Sequence, residues 1–186
     1  TWILASGTWR RASPPTAPGP RHSGAMAYDA GRGRTVLFGG FDGNFRRLND
    51  TWEWDGANWS RIATSGAPQS RAFHRMAYDP SRRVVVLFGG GASFTQRLND
   101  TWEWDGAVWK RRTPPTPPPA RSDHGMAYSR AHHGIVIHGG ARGSAASSIR
   151  KDTWLYDGRS WQQLEAGPKP PAVTATNLAP ESTHGS

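Results

Sequence analysis

The chain has 186 residues, no cysteine, 10 Trp and a formal net charge of +9. Zero cysteine excludes a disulfide scaffold, a cysteine nucleophile and a thiolate metal site, and no apolar run approaches the roughly 18 residues of a helical membrane span. The 22 Gly and 15 Pro lack a collagen period, and so many Trp can bury enough surface to argue against a wholly disordered chain. The chain opens at Thr1 without an initiator Met or a signal-peptide pattern, as expected of a processed form or an excised segment.

Taken in chain order, the elements repeat. Thr1-Trp2 and Trp9 stand 50 residues before Thr51-Trp52 and Trp59. Residues 1–12 therefore read as the back half of a unit, strands c and d, with a degraded turn where Ala5-Ser6 replaces Asp-Gly. Residues 13–63 read as a full unit of four strands. Strand a (24–29) carries Met26-Ala27-Tyr28, strand b (35–39) runs into Gly39-Gly40, strand c (51–55) carries Trp52 and Trp54, and strand d (58–62) carries Trp59. Asp55-Gly56 between c and d suits a type I′ hairpin.

Residues 64–113 repeat the pattern with Met76-Ala77-Tyr78, Gly89-Gly90, Trp102 and Trp109. Residues 114–165 repeat it with Met126-Ala127-Tyr128, Gly139-Gly140, Trp154 and Trp161. The third b–c connection is two residues longer than the others. Residues 166–186 read as a Pro-rich tail or the degraded start of a further unit. Pro-rich stretches at 14–20 and 114–119 are stiff connectors from strand d to the next strand a.

Four short strands repeating every 50 residues are the signature of propeller blades. Arg71-x-x-His74, Gly89-Gly90, Asp100-Thr101-Trp102 and Trp109 together resemble the kelch repeat, and Arg121-x-x-His124 matches as well. The first full copy departs, with Gly24 at the His position. The resemblance implies an all-β, kelch-type β-propeller segment of about 3.5 four-stranded antiparallel blades, related to the galactose-oxidase central-domain superfamily. Kelch propellers close with more blades, so an incomplete ring is expected, with completion between chains as one outcome. The Trp-Glu-Trp-Asp-Gly variant resembles the kelch arrays of large bacterial exported proteins, which implies an extracellular or cell-surface setting.

In a four-stranded meander the b–c and d–a loops share one end of the blade. The b–c loops (41–49, 91–99 and 141–151) differ most between units, and loops on a rigid scaffold are where binding concentrates. Phe41, Phe45, Arg46, Arg47, Phe94, Arg97, Arg142 and Arg150 are the candidate binding residues, forming a basic face with scattered aromatic rings. The repeated Gly39, Gly40, Gly89, Gly90, Gly139 and Gly140 serve close backbone approach. The repeated Trp52, Trp102, Trp154, Trp59, Trp109 and Trp161 pack between blades. Asp50, Asp100 and Asp152 read as residues that tie the b–c loop down by local hydrogen bonds.

Metal and cofactor sites are not indicated. His132-His133 falls in an a–b turn, where adjacent side chains diverge, and Asp42-Gly43-Asn44 is followed by two Arg, short of the oxygen cluster a calcium loop needs. Of the 23 basic residues 20 are Arg, spread over every unit with no nucleic-acid motif, so specific nucleic-acid binding is not expected. A non-catalytic scaffold for an unidentified protein or glycan partner, acting through the b–c and d–a loop face, is the reading these residues favour. The alternatives are an epimerase-like kelch enzyme and a carbohydrate-binding module. Absence of cysteine closes the copper-radical oxidase route, which needs a cross-linked Tyr–Cys pair. All ten Trp fall at repeat positions, which leaves no separate aromatic platform for sugar; exposed Trp rings would reopen that question.

Overall fold

A computed structural model describes residues 1–143 and 148–164. The expected tail or further unit at 166–186 lies outside them.

Fourteen strands, and no α-helix, are present among the described residues. The first two, β1 (Trp2–Ala5) and β2 (Thr8–Arg11), form a hairpin. Three four-stranded antiparallel meanders follow, each in the order of the chain. The first blade is β3 (Ala25–Asp29), β4 (Arg34–Phe38), β5 (Thr51–Trp54) and β6 (Trp59–Ile62). The second is β7 (Arg75–Asp79), β8 (Val84–Phe88), β9 (Thr101–Trp104) and β10 (Trp109–Arg112). The third is β11 (Gly125–Ser129), β12 (Gly134–His138), β13 (Thr153–Tyr156) and β14 (Trp161–Leu164). This is the all-β propeller architecture that the repeat implies.

The blades stack face to face, and strand alternation decides what each face carries. The face of the first blade that looks toward the second presents Ala25, Ala27, Val36 and Phe38. These pack against Met76, Val85, Leu87, Trp104 and Trp109 of the second blade. One junction later, Ala77, Val86 and Phe88 pack against Met126, Ile135, Ile137, Tyr156 and Trp161. Small residues on strand a let the next blade's Met and Trp approach. Burying this many large side chains completely contributes on the order of 1.5–3 kcal/mol each, which explains how short strands without helices hold together.

Two turns differ from expectation. Trp54 pairs with Trp59, and Asp55–Asn58 forms the c–d connection. Its positive φ is confined to Gly56 (+101°), so it lacks the two left-handed residues of a type I′ turn. The Asp55 carboxylate instead accepts the backbone N–H groups of Ala57 and Asn58. The hairpin of β1 and β2, read as degraded, has both central residues left-handed, Ser6 at +49° and Gly7 at +76°. It is the one turn of this series with the type I′ sign pattern.

Candidate functional site

Each blade junction is held by a set of polar bonds that recurs along the chain. The closing Trp of one blade donates its indole N–H to the Thr that opens strand c of the blade before. Trp59 reaches Thr1 Oγ1, Trp109 reaches Thr51 Oγ1 and Trp161 reaches Thr101 Oγ1, each at 2.9 Å. The last residue of strand c does the same toward Glu of the preceding strand c. Trp104 donates to Glu53 Oε1 at 2.8 Å, and the Tyr156 hydroxyl donates to Glu103 Oε1 at 3.0 Å.

These two carboxylates are themselves held by an Arg from the a–b turn. Arg32 bridges Asp29 and Glu53, and Arg82 bridges Asp79 and Glu103. The third blade carries Ser129, His132 and Leu155 at the three corresponding positions. All three members of the ion network are replaced together.

The Asp that precedes strand c does more than tie a loop locally. Asp100 accepts two bonds from the Arg71 guanidinium, at 2.7 and 2.8 Å, and one from the Trp102 indole at 2.7 Å. Arg21 with Asp50 and Arg121 with Asp152 repeat this geometry. Arg71 and Arg121 are fully buried. Burial by itself would raise the Asp100 carboxyl, but the Arg71 and Trp102 hydrogen bonds outweigh it and hold the group below its ordinary range. The bidentate pairing suits Arg and not Lys.

The glycine pairs follow from the same junction. Gly40 N–H donates to Arg71 O, and Gly90 N–H to Arg121 O, each at 2.9 Å. A Cβ on Gly90 would meet Ala72 O and His74 Cβ at 2.8 Å, and its φ is +94°. No other residue fits there without displacing backbone.

His74 and His124 are fully buried at these junctions, edge-on to Phe38 and Phe88 with ring centroids 5.6 Å apart. Burial, then the nearby Arg71 and Arg75, hold the His74 imidazole down to about 3. Burial, then Arg121, hold the His124 imidazole well below its ordinary range. Both rings are neutral packing groups at physiological pH.

The b–c loops stand at the other end of the strands from the Arg32 and Arg82 networks. Each loop folds back through single bridges, Phe41 pairing with both His22 and Arg47, and Gly91 with both Ala72 and Arg97. The first two loops meet through one side chain. The Arg47 guanidinium lies 4.8 Å from the ring centre of Phe41 and 4.8 Å from that of Phe94. Phe41 is buried, stacks on His22 at 5.2 Å and lies edge-on to Phe73 at 5.6 Å. Phe45 lies edge-on to His22. Phe45 and Phe94 are exposed by 69% and 79%, so both rings face solvent, Phe94 over the Arg47 guanidinium. Burial, then the neighbouring Arg97, push the Arg47 guanidinium below its ordinary range. Arg97 donates to Ser122 Oγ at 3.0 Å and to the Ser93 and Phe94 carbonyls. No carboxylate forms an ion pair with Arg46, Arg47, Arg97, Arg142 or Arg150 among the described residues.

The candidate residues thus divide into two groups. Phe41, Phe45, Arg47, Phe94 and Arg97 form one patch across the first and second blades. Arg46 is exposed at a loop tip beside it, its backbone N–H held by Asp42. Arg142 and Arg150 belong to the third loop. Arg142 N–H donates to Ser148 O and Arg150 N–H to Gly140 O. Two members of the patch, His22 and Phe73, were not singled out from the sequence. They come from d–a connections, and only the bridge to the b–c loop brings them in. Two clefts open at equivalent places beside these loops. One of about 460 Å³ is lined by Asn49, Asp50 and Arg61, and one of about 280 Å³ by Asn99, Asp100 and Arg111.

Among the described residues no group of three or more His, Asp or Glu is placed to hold a metal ion, and no helix is long and apolar enough to cross a membrane. Trp2 and Trp9 are exposed by 64% and 63%. Both occupy positions that in the complete blades face the preceding blade. Comparison with known families returns one described as the KLHDC2/KLHL20/DRC7 Kelch-repeats domain, whose model matches residues 2–179. No curated protein matches the chain.

Proposed function

The chain belongs to the kelch-repeat domain family, a family of protein-interaction scaffolds that is typically non-enzymatic, and from that premise we propose that it binds a protein partner on the blade end formed by the b–c loops and d–a connections. The observation that carries this reading is the patch of Phe45, Phe94, Arg47 and Arg97. The exposed Phe94 ring and the buried Phe41 ring sandwich the Arg47 guanidinium, the exposed Phe45 ring stands on His22 beside them, and neither Arg47 nor Arg97 has a carboxylate ion-pair partner among the described residues. Exposed aromatic and Arg side chains held by a rigid frame are the usual anchors of protein interfaces. The frame here is rigid because the junction bonds lie directly beneath the loops. Arg142 and Arg150 extend the basic character of the same end onto the third blade, and the partner surface that suits it is acidic.

The bacterial, exported arrays that the Trp-Glu-Trp-Asp-Gly variant resembles support an extracellular or cell-surface setting for this binding. Affinity capture with the whole chain, compared with Arg47→Ala and Phe94→Ala, tests the reading. A partner held by the parent is lost from both variants and retained by Lys110→Ala, which lies on the opposite end beside the Asp105 turn. Equal capture by all four proteins refutes the loop face.

A further inference from the structure

Arg47 is fixed in place without using any of its donors. Its guanidinium lies between the Phe41 and Phe94 rings, 4.8 Å from each ring centre, so both flat faces are covered and the N–H edge is what remains for a ligand. None of its N–H groups donates to a described residue, and Nε is buried. Arg97 is held the other way, by its own bonds. Its Nε donates to Ser122 Oγ and one terminal nitrogen donates to the Ser93 and Phe94 carbonyls, which leaves the second terminal nitrogen unbonded among the described residues. Phe94 ties the two together, since its ring covers Arg47 and its carbonyl accepts from Arg97.

The charge around this pair is not compensated. Burial and then the Arg97 charge push Arg47 below its ordinary range, so the two cations stand close together. Asp42, at the tip of the first loop, uses its Oδ1 on the backbone N–H groups of Asn44 and Arg46. Asp123, next to Ser122, forms no ion pair with either Arg. Strain points to the same place. Phe45 and Phe73 sit in left-handed backbone, at φ +57° and +61°, a region that bulky side chains rarely adopt. The equivalents of Phe73 in the other units are the smaller Ser23 and Asp123. Phe73 lies edge-on to Phe41 and so backs the ring on which Arg47 rests. Strain of this kind marks side chains kept for a contact and not for folding.

We propose that the N–H edges of Arg47 and Arg97 together hold one phosphate monoester carried by the protein partner, a phosphorylated side chain, with the Phe94 ring as the wall of the site. The proposal rests on the loop-face reading and gives its anchor a chemistry. A carboxylate offers two oxygens and one charge, whereas a phosphate monoester offers three oxygens and close to two charges at pH 7. The five N–H groups of Arg47 and the two on the unbonded nitrogen of Arg97 exceed what one carboxylate can accept. Two adjacent cations without a carboxylate are balanced by a dianion and only half balanced by a monoanion. Planar guanidinium edges suit phosphate oxygens in a way that Lys does not.

The test needs no captured partner. Isothermal titration calorimetry of the full chain at low ionic strength uses phenyl phosphate and ethyl phosphate as the dianions, standing for a tyrosine and a serine source. Methyl phenyl phosphate and benzoate are the monoanions. At least one dianion should bind about tenfold tighter than either monoanion. Arg47→Lys keeps the charge but loses the planar fork, and should weaken that dianion at least about fivefold. Arg97→Gln should weaken it about tenfold. Lys110→Gln removes the same unit of charge at the opposite end and should leave it within about twofold. Arg47 makes no hydrogen bond in the free chain, so Arg47→Lys keeps the fold, with unchanged circular dichroism as the check. Dianions bound no tighter than monoanions, binding indifferent to Arg47→Lys or to Arg97→Gln, or equal weakening by Lys110→Gln each overturns the phosphate site. A partner lost from Arg47→Ala and Phe94→Ala, in a chain that binds neither dianion, keeps the loop-face reading and overturns this proposal alone.

Discussion

The junction between the first and second blades and the junction between the second and third are near copies, while the b–c loop tips a few residues away share almost nothing. Arg71 with Asp100 repeats at Arg121 with Asp152 to within 0.2 Å in each bond. Phe38 meets Trp109 at 5.2 Å, and Phe88 meets Trp161 at 5.0 Å. By contrast residues 42–46 read Asp-Gly-Asn-Phe-Arg and residues 92–96 read Ala-Ser-Phe-Thr-Gln. A blade can stack only if both faces obey the same rule, so the chemistry of the faces is held constant. The loop tips face solvent, take no part in the stacked sheet faces and are free to differ. Stability and recognition are carried by different residues of one repeat.

The largest effect expected from breaking the repeated set is that of Arg71→Met. It leaves Asp100 without its guanidinium partner and the Gly89 carbonyl without a donor, and removal of one member of a buried pair costs about 3–5 kcal/mol. Urea unfolding should show this as a lower midpoint with an unchanged slope.

Acid should act on the same junctions. His74 and His124 are held below their ordinary range when folded, so the unfolded chain binds protons first as the pH falls below about 6.5. Stability is complete above that value and declines from there toward about 3 for His74, by about 1.4 kcal/mol per pH unit for each ring. The unfolding midpoint measured from pH 7 to pH 4 should fall, and His124→Gln should roughly halve the slope. A smaller loss is expected from Trp109→Phe. It keeps the packing on Phe38 but removes the indole N–H that Thr51 accepts, for about 1–1.5 kcal/mol.

Much of this division is legible in the sequence, because the period aligns equivalent positions before any strand is placed. The Gly-Gly pairs, the junction Trp residues and the variable loops all follow from that alignment. What the alignment does not carry is which residue of one unit meets which residue of the next. The Trp-to-Thr bonds join residues 58 to 60 positions apart, a separation set by blade stacking and not by any local signal. For the same reason the Arg47 sandwich was hidden, since one ring comes from its own loop and the other from the next blade. The sequence neighbours of Asp50 suggest only a local tether, and Trp52 is indeed one partner. Arg21, 29 residues earlier, is its main partner. The dipeptide Asp-Gly misled about the c–d turn because the Asp55 side chain caps the turn and takes over part of its backbone bonding.

The smallest expected effect is the one that bears most directly on the contrast between faces and loop tips. Urea unfolding of Phe45→Ser/Arg46→Ser/Phe94→Ser, measured beside Arg71→Met, should leave the triple variant within about 0.5 kcal/mol of the parent per site, while Arg71→Met falls by several kcal/mol. A triple variant as unstable as Arg71→Met, or an Arg71→Met protein as stable as the parent, would contradict the account.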